Sequence, residues 1–190
     1  MTLDFAAARL NMLEGQVRTS DVTDHAVQDA IRVVPRETLC PDDKRTLAYA
    51  EVEVPYAPGR FLMKPRDVAK LLQALRPRAG ERALAIAAPY AAAVMQAMGL
   101  SVDRLDEGDL TAPEGADYGV VICEQAVSAV PQAWLEVLGP GGRLAAVERD
   151  GPVGKARLYL AAESGVSSRE VFDASPPMLP GFERKAQFAF

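Results

Sequence analysis

At 190 residues the chain suits one domain, or a domain with a small appendage, and is long enough to bury a core without disulfides or a structural metal. Apolar residues make up 49% and charged residues 25%, which excludes a disordered chain, and no apolar run approaches the roughly 18 residues of a membrane span. A formal charge of −5 argues against nucleic acid as a partner, because phosphate binding draws on clustered Lys and Arg. The start carries Asp4, Arg9 and Glu14 among its apolar residues and does not look like a signal peptide. Cys40 and Cys123 form no CxxC pair and read as buried, reduced thiols, so the expected location is cytoplasmic.

In chain order, the periodicity of Leu3, Ala6, Ala7, Leu10, Leu13 and Val17 predicts a first helix. A polar break at Arg18–Thr23 precedes a second, capped by Thr23 or Asp24, with Val27, Ala30, Ile31 and Val34 inward and a stop at Pro35. A short helical turn is expected from Pro41 to Leu47, completing an N-terminal helical segment over residues 1–54. Arg66–Leu75 is a clear amphipathic helix, ended by the basic Arg76-Pro77-Arg78-Ala79-Gly80. Strands then alternate with helices: strand Arg82–Ile86, helix Tyr90–Met98, strand Leu100–Leu105, strand Tyr118–Cys123, helix Pro131–Leu138, a turn at 139–142 and strand Arg143–Val147. Such alternation of nearly all-apolar strands predicts an α/β core over 82–147, a doubly wound parallel sheet. Lys155–Ala162 and Arg169–Phe172 are expected to form a C-terminal β-hairpin across Glu163-Ser164-Gly165, within a last segment spanning 148–190. The three segments together read as a single domain over 1–190.

Several spaced residues resemble one known family. Met12, Gln16, Val22-Thr23-Asp24, Val34-Pro35-Arg36, Pro41 and Ala48-Tyr49 follow, in order, a pattern shared by protein-L-isoaspartate O-methyltransferases. Ala116-Asp117-Tyr118-Gly119-Val120-Val121-Ile122 resembles that family's fourth strand, and Gly139-Pro140-Gly141-Gly142-Arg143-Leu144 its following turn. The resemblance implies a class I methyltransferase-like (Rossmann-like) fold and S-adenosylmethionine as the family's cofactor. The interval between Asp103 and Asp109 is too short for the family's next helix and third strand. The sheet is therefore expected to be one edge strand short, a tolerable loss because that strand lies at the edge of the usual order 3-2-1-4-5. The strand edge left at Ser101–Leu105 is expected to meet a protein partner or a second copy, or to be guarded by a charge such as Arg104.

The resemblance also locates candidate site residues. Where the family has an acidic residue and a GxGxG run after the first strand, this chain has Ala85-Ile86-Ala87-Ala88-Pro89-Tyr90. Each alanine adds a Cβ where glycine permits close approach, and Pro89 removes an amide donor, so Ala87, Ala88, Pro89 and Tyr90 read as a vestigial cofactor turn or simply a tight strand-to-helix turn with Pro89 at the first helical position. Asp103 matches the acid that would hold ribose hydroxyls, and Asp109 follows Gly108 in a pair like the one beside the adenine. At the substrate end, Met63 in Arg60-Phe61-Leu62-Met63-Lys64-Pro65 stands where family members carry a serine, and a thioether cannot donate to a carboxylate, though Arg60 and Lys64 can attract one. Glu124 follows the fourth strand where the family has small residues, and would repel an acidic substrate. His25 is the only histidine, so no metal site is expected.

Three readings follow. The foremost is a catalytically silent member of the family that acts as a binding or regulatory partner and needs no cofactor. The second is an active S-adenosylmethionine-dependent protein carboxyl methyltransferase with a remodelled site. The third is a small-ligand sensor using the crevice at the strand ends.

Overall fold

The computed structural model describes residues 4–184; residues 1–3, with the Leu3 of the predicted first helix, and the last six residues lie outside that range. Helix α1 (Phe5–Met12) begins at Asp4, whose carboxylate accepts from the Ala7 amide at 3.0 Å, and continues through a wider turn at Leu13–Val17. Of the two residues expected to cap the second helix, Asp24 does so for α2 (His25–Val33), accepting from the Ala26 and Val27 amides. The chain then makes short turns at Arg36–Leu39 and Asp42–Leu47 and enters a hairpin, β1 (Val54–Ala57) and β2 (Arg60–Leu62). Each strand of this hairpin is too short to leave a periodicity in the sequence. Its one signal is the turn dipeptide Pro58-Gly59 between two small apolar runs.

Helix α3 (Pro65–Leu75) leads into β3 (Arg82–Ile86), α4 (Pro89–Ala97), β4 (Ser101–Leu105), β5 (Tyr118–Val127), α5 (Gln132–Glu136), β6 (Leu138–Arg149), β7 (Gly154–Ala162) and β8 (Gly165–Ala174). The sheet order is β4-β3-β5-β6-β7-β8, with parallel pairing from β4 to β6 and antiparallel pairing beyond. This is the expected doubly wound class I methyltransferase-like sheet. Residues 106–117 contain no helix or strand, so β4 forms the edge and the sheet is one strand short there. Arg104, on that edge, is exposed and paired with Asp106 at 2.7 Å.

Two expectations about element length are corrected. The helix expected over Pro131–Leu138 is confined to α5, because Leu138 already pairs with Tyr118 as the first residue of β6. The expected turn at 139–142 lies inside β6. Its glycines are required by proximity: a Cβ on Gly142 would stand 2.6 Å from the Tyr118 carbonyl oxygen, and one on Gly139 would stand 3.0 Å from Asp117 Cα. β5 also runs on past Cys123 to Val127, with an irregularity between Ile122 and Ala126.

One core lies between the sheet and helices α1 to α4, and brings Val27, Ile31, Val68, Leu72 and Val94 against Val120, Ile122 and Val147. The other face is covered more sparingly. There Trp134 of α5, Leu110 of the 106–117 segment and Leu179 and Phe182 of the tail pack over Leu84, Val121 and Leu144. The Trp134 indole N–H donates to the Leu110 carbonyl at 2.7 Å, which ties the irregular segment to that face. Among the described residues no helix is long and apolar enough to cross a membrane.

Candidate functional site

In a sheet of this topology the chain leaves β3 toward β4 on one side while β5 lies on the other, so a crevice belongs at the carboxyl ends of β3 and β5. The turn after β3 forms its floor. Ala87 holds φ +45°, in the left-handed region where glycine is the easy residue, and its amide donates to the Leu105 carbonyl at 3.0 Å. Pro89 occupies the first helical position of α4, as the tight-turn reading expects, and Ala88 provides no side-chain cap. A helix N-terminus leaves amides that need acceptors, and burying them without any is costly.

Glu124 of β5 supplies the acceptor. Its carboxylate accepts from the Ala91 amide at 2.6 Å and from the Met63 amide at 3.3 Å. The side chain is 0% exposed. Burial, opposed by Arg36 and by those amides, pushes its pKa up to about 6. Arg36 is itself fully buried, placed by the turn after Pro35, and donates from Nε to the Ala48 carbonyl at 2.8 Å and from Nη2 to the Met63 carbonyl at 2.6 Å. Its guanidinium lies 4.5 Å from the centre of the Tyr90 ring. A buried carboxylate, a buried guanidinium and an aromatic ring thus occupy the space above the turn.

Gln125 closes the mouth. Its Oε1 accepts from the Phe61 amide at 3.3 Å, and its Nε2 donates to the Gly59 carbonyl at 3.0 Å, which fixes the β1–β2 hairpin over β5. The tail joins it: the Ala126 amide donates to Pro177 O at 3.0 Å, and the Leu179 amide donates to Ala126 O at 2.7 Å. Gly59, at φ +68°, lies so close to Pro180 that a Cβ there would meet the proline ring at 2.6 Å. Ala87, Ala88 and Tyr90 are consequently as inaccessible as Glu124.

The candidates from the sequence are divided among different places. Arg60 reaches the crevice, where its Nη2 donates to the Asp106 carbonyl at 3.5 Å. Met63 is also there, fully buried, but its contribution is its main-chain N–H and carbonyl. Lys64 is paired with Glu53 at 3.6 Å. Asp103 accepts from Arg82 Nη2 at 2.7 Å and from the Tyr118 hydroxyl at 2.9 Å, contacts that hold its pKa low. Asp109 accepts from the Thr111 amide and hydroxyl, and that hydroxyl bond lowers its pKa too. Both acids line a groove of about 400 Å³ outside β4, with Glu107 and Glu114. The structure thus brings Asp103 and Asp109 together despite their short interval, on a surface apart from the Glu124 cluster.

Arg36 and Gln125 hold roles in the cluster that the sequence pattern does not assign. For Arg36 the one sequence signal was its place in the Val34-Pro35-Arg36 match to the family pattern. Among the described residues no group of three or more His, Cys, Asp or Glu is placed to hold a metal ion.

Comparison with known proteins places this geometry. No family model matches the chain. A protein-L-isoaspartate O-methyltransferase of Methylorubrum extorquens is 32% identical over 209 aligned positions, covering 94% of this chain and 91% of that protein. One of Methylorubrum populi is also 32% identical, covering 92% of this chain and 96% of its own length. The chain belongs to the protein-L-isoaspartate O-methyltransferase family. Solved structures agree on the fold. One named protein-L-isoaspartate O-methyltransferase superposes with a TM-score of 0.74 at 18% identity, over 91% of this chain and 66% of that one. A Plasmodium falciparum protein of the same name, in complex with S-adenosyl-L-homocysteine, gives 0.72 at 12% identity, over 94% of this chain and 99% of its own.

Proposed function

We propose that this family member does not carry S-adenosylmethionine in the crevice and acts as a binding or regulatory partner instead of a methyl donor's enzyme. One observation carries the reading: the N-terminus of α4, where an anionic ligand group would be received, already holds the chain's own Glu124 carboxylate, which accepts from the Ala91 amide. A ligand would have to displace a buried carboxylate, separate it from Arg36 and lift the β1–β2 hairpin from Gln125. The Cβ atoms of Ala87 and Ala88, both fully buried, add a steric obstacle. Those residues do not fit the cofactor, and no chemical step is derived through it.

Calorimetric titration with S-adenosylmethionine and S-adenosylhomocysteine tests this. The expected result is no saturable heat at micromolar ligand, where a complex would need about −8 kcal/mol. Saturable micromolar binding, with methyl transfer to an isoaspartyl peptide, would overturn it in favour of an active carboxyl methyltransferase, the activity that the relatives' name describes.

A second reading has an observation of its own. The Tyr56 hydroxyl, Arg60 Nη1 and Asp106 Oδ1 are buried without hydrogen-bond partners, and they cluster beside Glu124 at the strand ends. Buried polar atoms require partners, so this cluster supports a small polar ligand there, as in a sensor. Binding of such a molecule that is lost in Arg60→Leu, without cofactor binding, would favour it.

A further inference from the structure

A different surface carries an inference independent of whether the crevice binds a cofactor. Fifteen ion pairs neutralise much of the described surface, and the cations outside them are few. Arg36, Arg60 and Arg149 give their guanidinium protons to main-chain carbonyls. Among the described residues that leaves Lys70, whose ammonium lies 4.5 Å from the centre of the Phe172 ring, and Arg76, Arg78 and Arg169 outside any direct ion pair, and all four line one cavity of about 600 Å³ between α3, the start of α2 and β8. Arg76, Arg78 and Arg169 continue into an adjoining cavity of about 380 Å³, floored by Leu158 and Leu160.

The C-terminal carbonyls of α3 do not account for these charges. Arg143 already donates to the Leu75 carbonyl at 2.7 Å and to the Arg76 carbonyl at 2.6 Å, and its own charge is matched by Glu81 at 2.7 Å. The helix end is therefore capped, and the Arg76 and Arg78 side chains are left exposed. Asp24 lines the larger cavity and Glu81, already paired with Arg143, lines the smaller, so in a chain of net charge −5 this wall still carries an excess of positive charge. Apolar surface accompanies them: Leu160 is 40% exposed and Val171 lines the larger cavity. Beside them β8 is the free edge of the sheet, paired only with β7, so its outer backbone groups can accept an added strand.

We propose that this groove is a docking site for an extended acidic segment of a protein partner. Its carboxylates would meet Arg76, Arg78 and Arg169, an apolar side chain would lie on Leu160 and Val171, and its backbone would run along β8. The two linked cavities favour an extended chain over a compact anion. The overall negative charge, which repels a long phosphate backbone, disfavours nucleic acid.

Fluorescence anisotropy on the full chain tests this with a labelled ten-residue peptide of Glu and Asp interspersed with two Leu. The comparison peptide has Gln and Asn in place of the acids. The acidic peptide is expected to bind saturably, at least tenfold tighter than the amide version and more weakly as salt rises. Arg78→Glu with Arg169→Glu should cut affinity at least tenfold. Lys44→Glu, at a lysine paired with Asp43 elsewhere, should leave it unchanged. Thermal melts of each variant check folding, and Arg169→Gln alone, on an exposed edge position, serves if the double variant melts early. Equal binding of both peptides, indifference to the Arg78 and Arg169 changes, or tighter binding of a single-stranded oligonucleotide would each overturn the proposal. None of these outcomes depends on S-adenosylmethionine, so failure here is separable from failure of the crevice reading.

Discussion

Glu124→Gln separates a built-in carboxylate plug from an incidental buried acid. In the folded protein the Glu124 pKa is raised to about 6 by burial, from an ordinary value near 4.5. The native state therefore binds this proton more tightly than the unfolded chain, so the group adds stability below the ordinary value and loses it as pH rises through about 6. The full difference is about 2 kcal/mol, and the part recovered between about pH 7 and pH 5 is about 1 kcal/mol. Other acids act in both proteins alike. Glu81, Asp103 and Asp109 have lowered pKa values and work in the opposite direction, while buried Asp67 is raised and works in the same one. The difference between wild type and Glu124→Gln at two pH values isolates the single group. With a urea slope of about 2 kcal/mol per molar, the wild-type midpoint should gain about 0.5 M relative to the variant between pH 7 and pH 5. The Gln amide would also face the Met63 N–H donor to donor, which costs about 1–3 kcal/mol at every pH and leaves the pH difference intact. Parallel pH profiles would refute the claim that a desolvated carboxylate occupies the α4 N-terminus.

Two further substitutions probe the same cluster. Arg36→Met removes a buried guanidinium with two carbonyl bonds and a ring contact, and should cost about 3–5 kcal/mol in urea unfolding while raising the Glu124 pKa further, because its compensating charge is gone. Ala87→Gly should change the urea midpoint very little: relief of a left-handed alanine, worth about 1–2 kcal/mol, offsets the lost buried methyl and the greater freedom of the unfolded chain, each worth about 1 kcal/mol or less. A destabilisation beyond about 2 kcal/mol would mean that the Ala87 methyl packs as an indispensable part of the second core.

The sheet was legible in the sequence because most of its strands are apolar runs separated by turn residues, and the missing edge strand because the chain between Leu105 and Ala116 is too short for a crossover helix and a further parallel strand. The turn at Ala87-Ala88-Pro89 was legible as a tight entry to α4 for the same local reasons. What closes the crevice was not. Glu124 reads in sequence as a charge at the end of a strand, and nothing local says that its carboxylate folds back onto the α4 amides. Its partners Met63, Ala91 and Arg36 lie far from it along the chain, so their meeting is a property of the strand order. Gln125 was illegible for the same reason, since its contacts at Gly59 and Met178 come from both sides of the sequence. The β1–β2 hairpin, only four and three residues per strand, is too short to leave a periodicity.

The departures from the family pattern form one physical unit. A glycine turn opening toward a ligand leaves the helix amides behind it dependent on that ligand for hydrogen bonds. If the ligand is not used, those amides must be hydrated or met from within the protein. Glu124 meets them, and once it is present water is excluded, which raises the cost of its own charge and makes the nearby Arg36 valuable as compensation. A closed crevice no longer needs a bare turn, so the Ala87 and Ala88 methyls contribute buried apolar surface in place of glycine's freedom. The second sheet face then needs cover where the edge unit is missing, and Leu110, Trp134 and Phe182 provide it from a loop, a short helix and the tail. On the proposed reading, introducing any one family feature alone should not give cofactor binding. Glycines without the removal of Glu124 leave the amides occupied, and removal of Glu124 without glycines leaves Arg36 uncompensated above a filled turn.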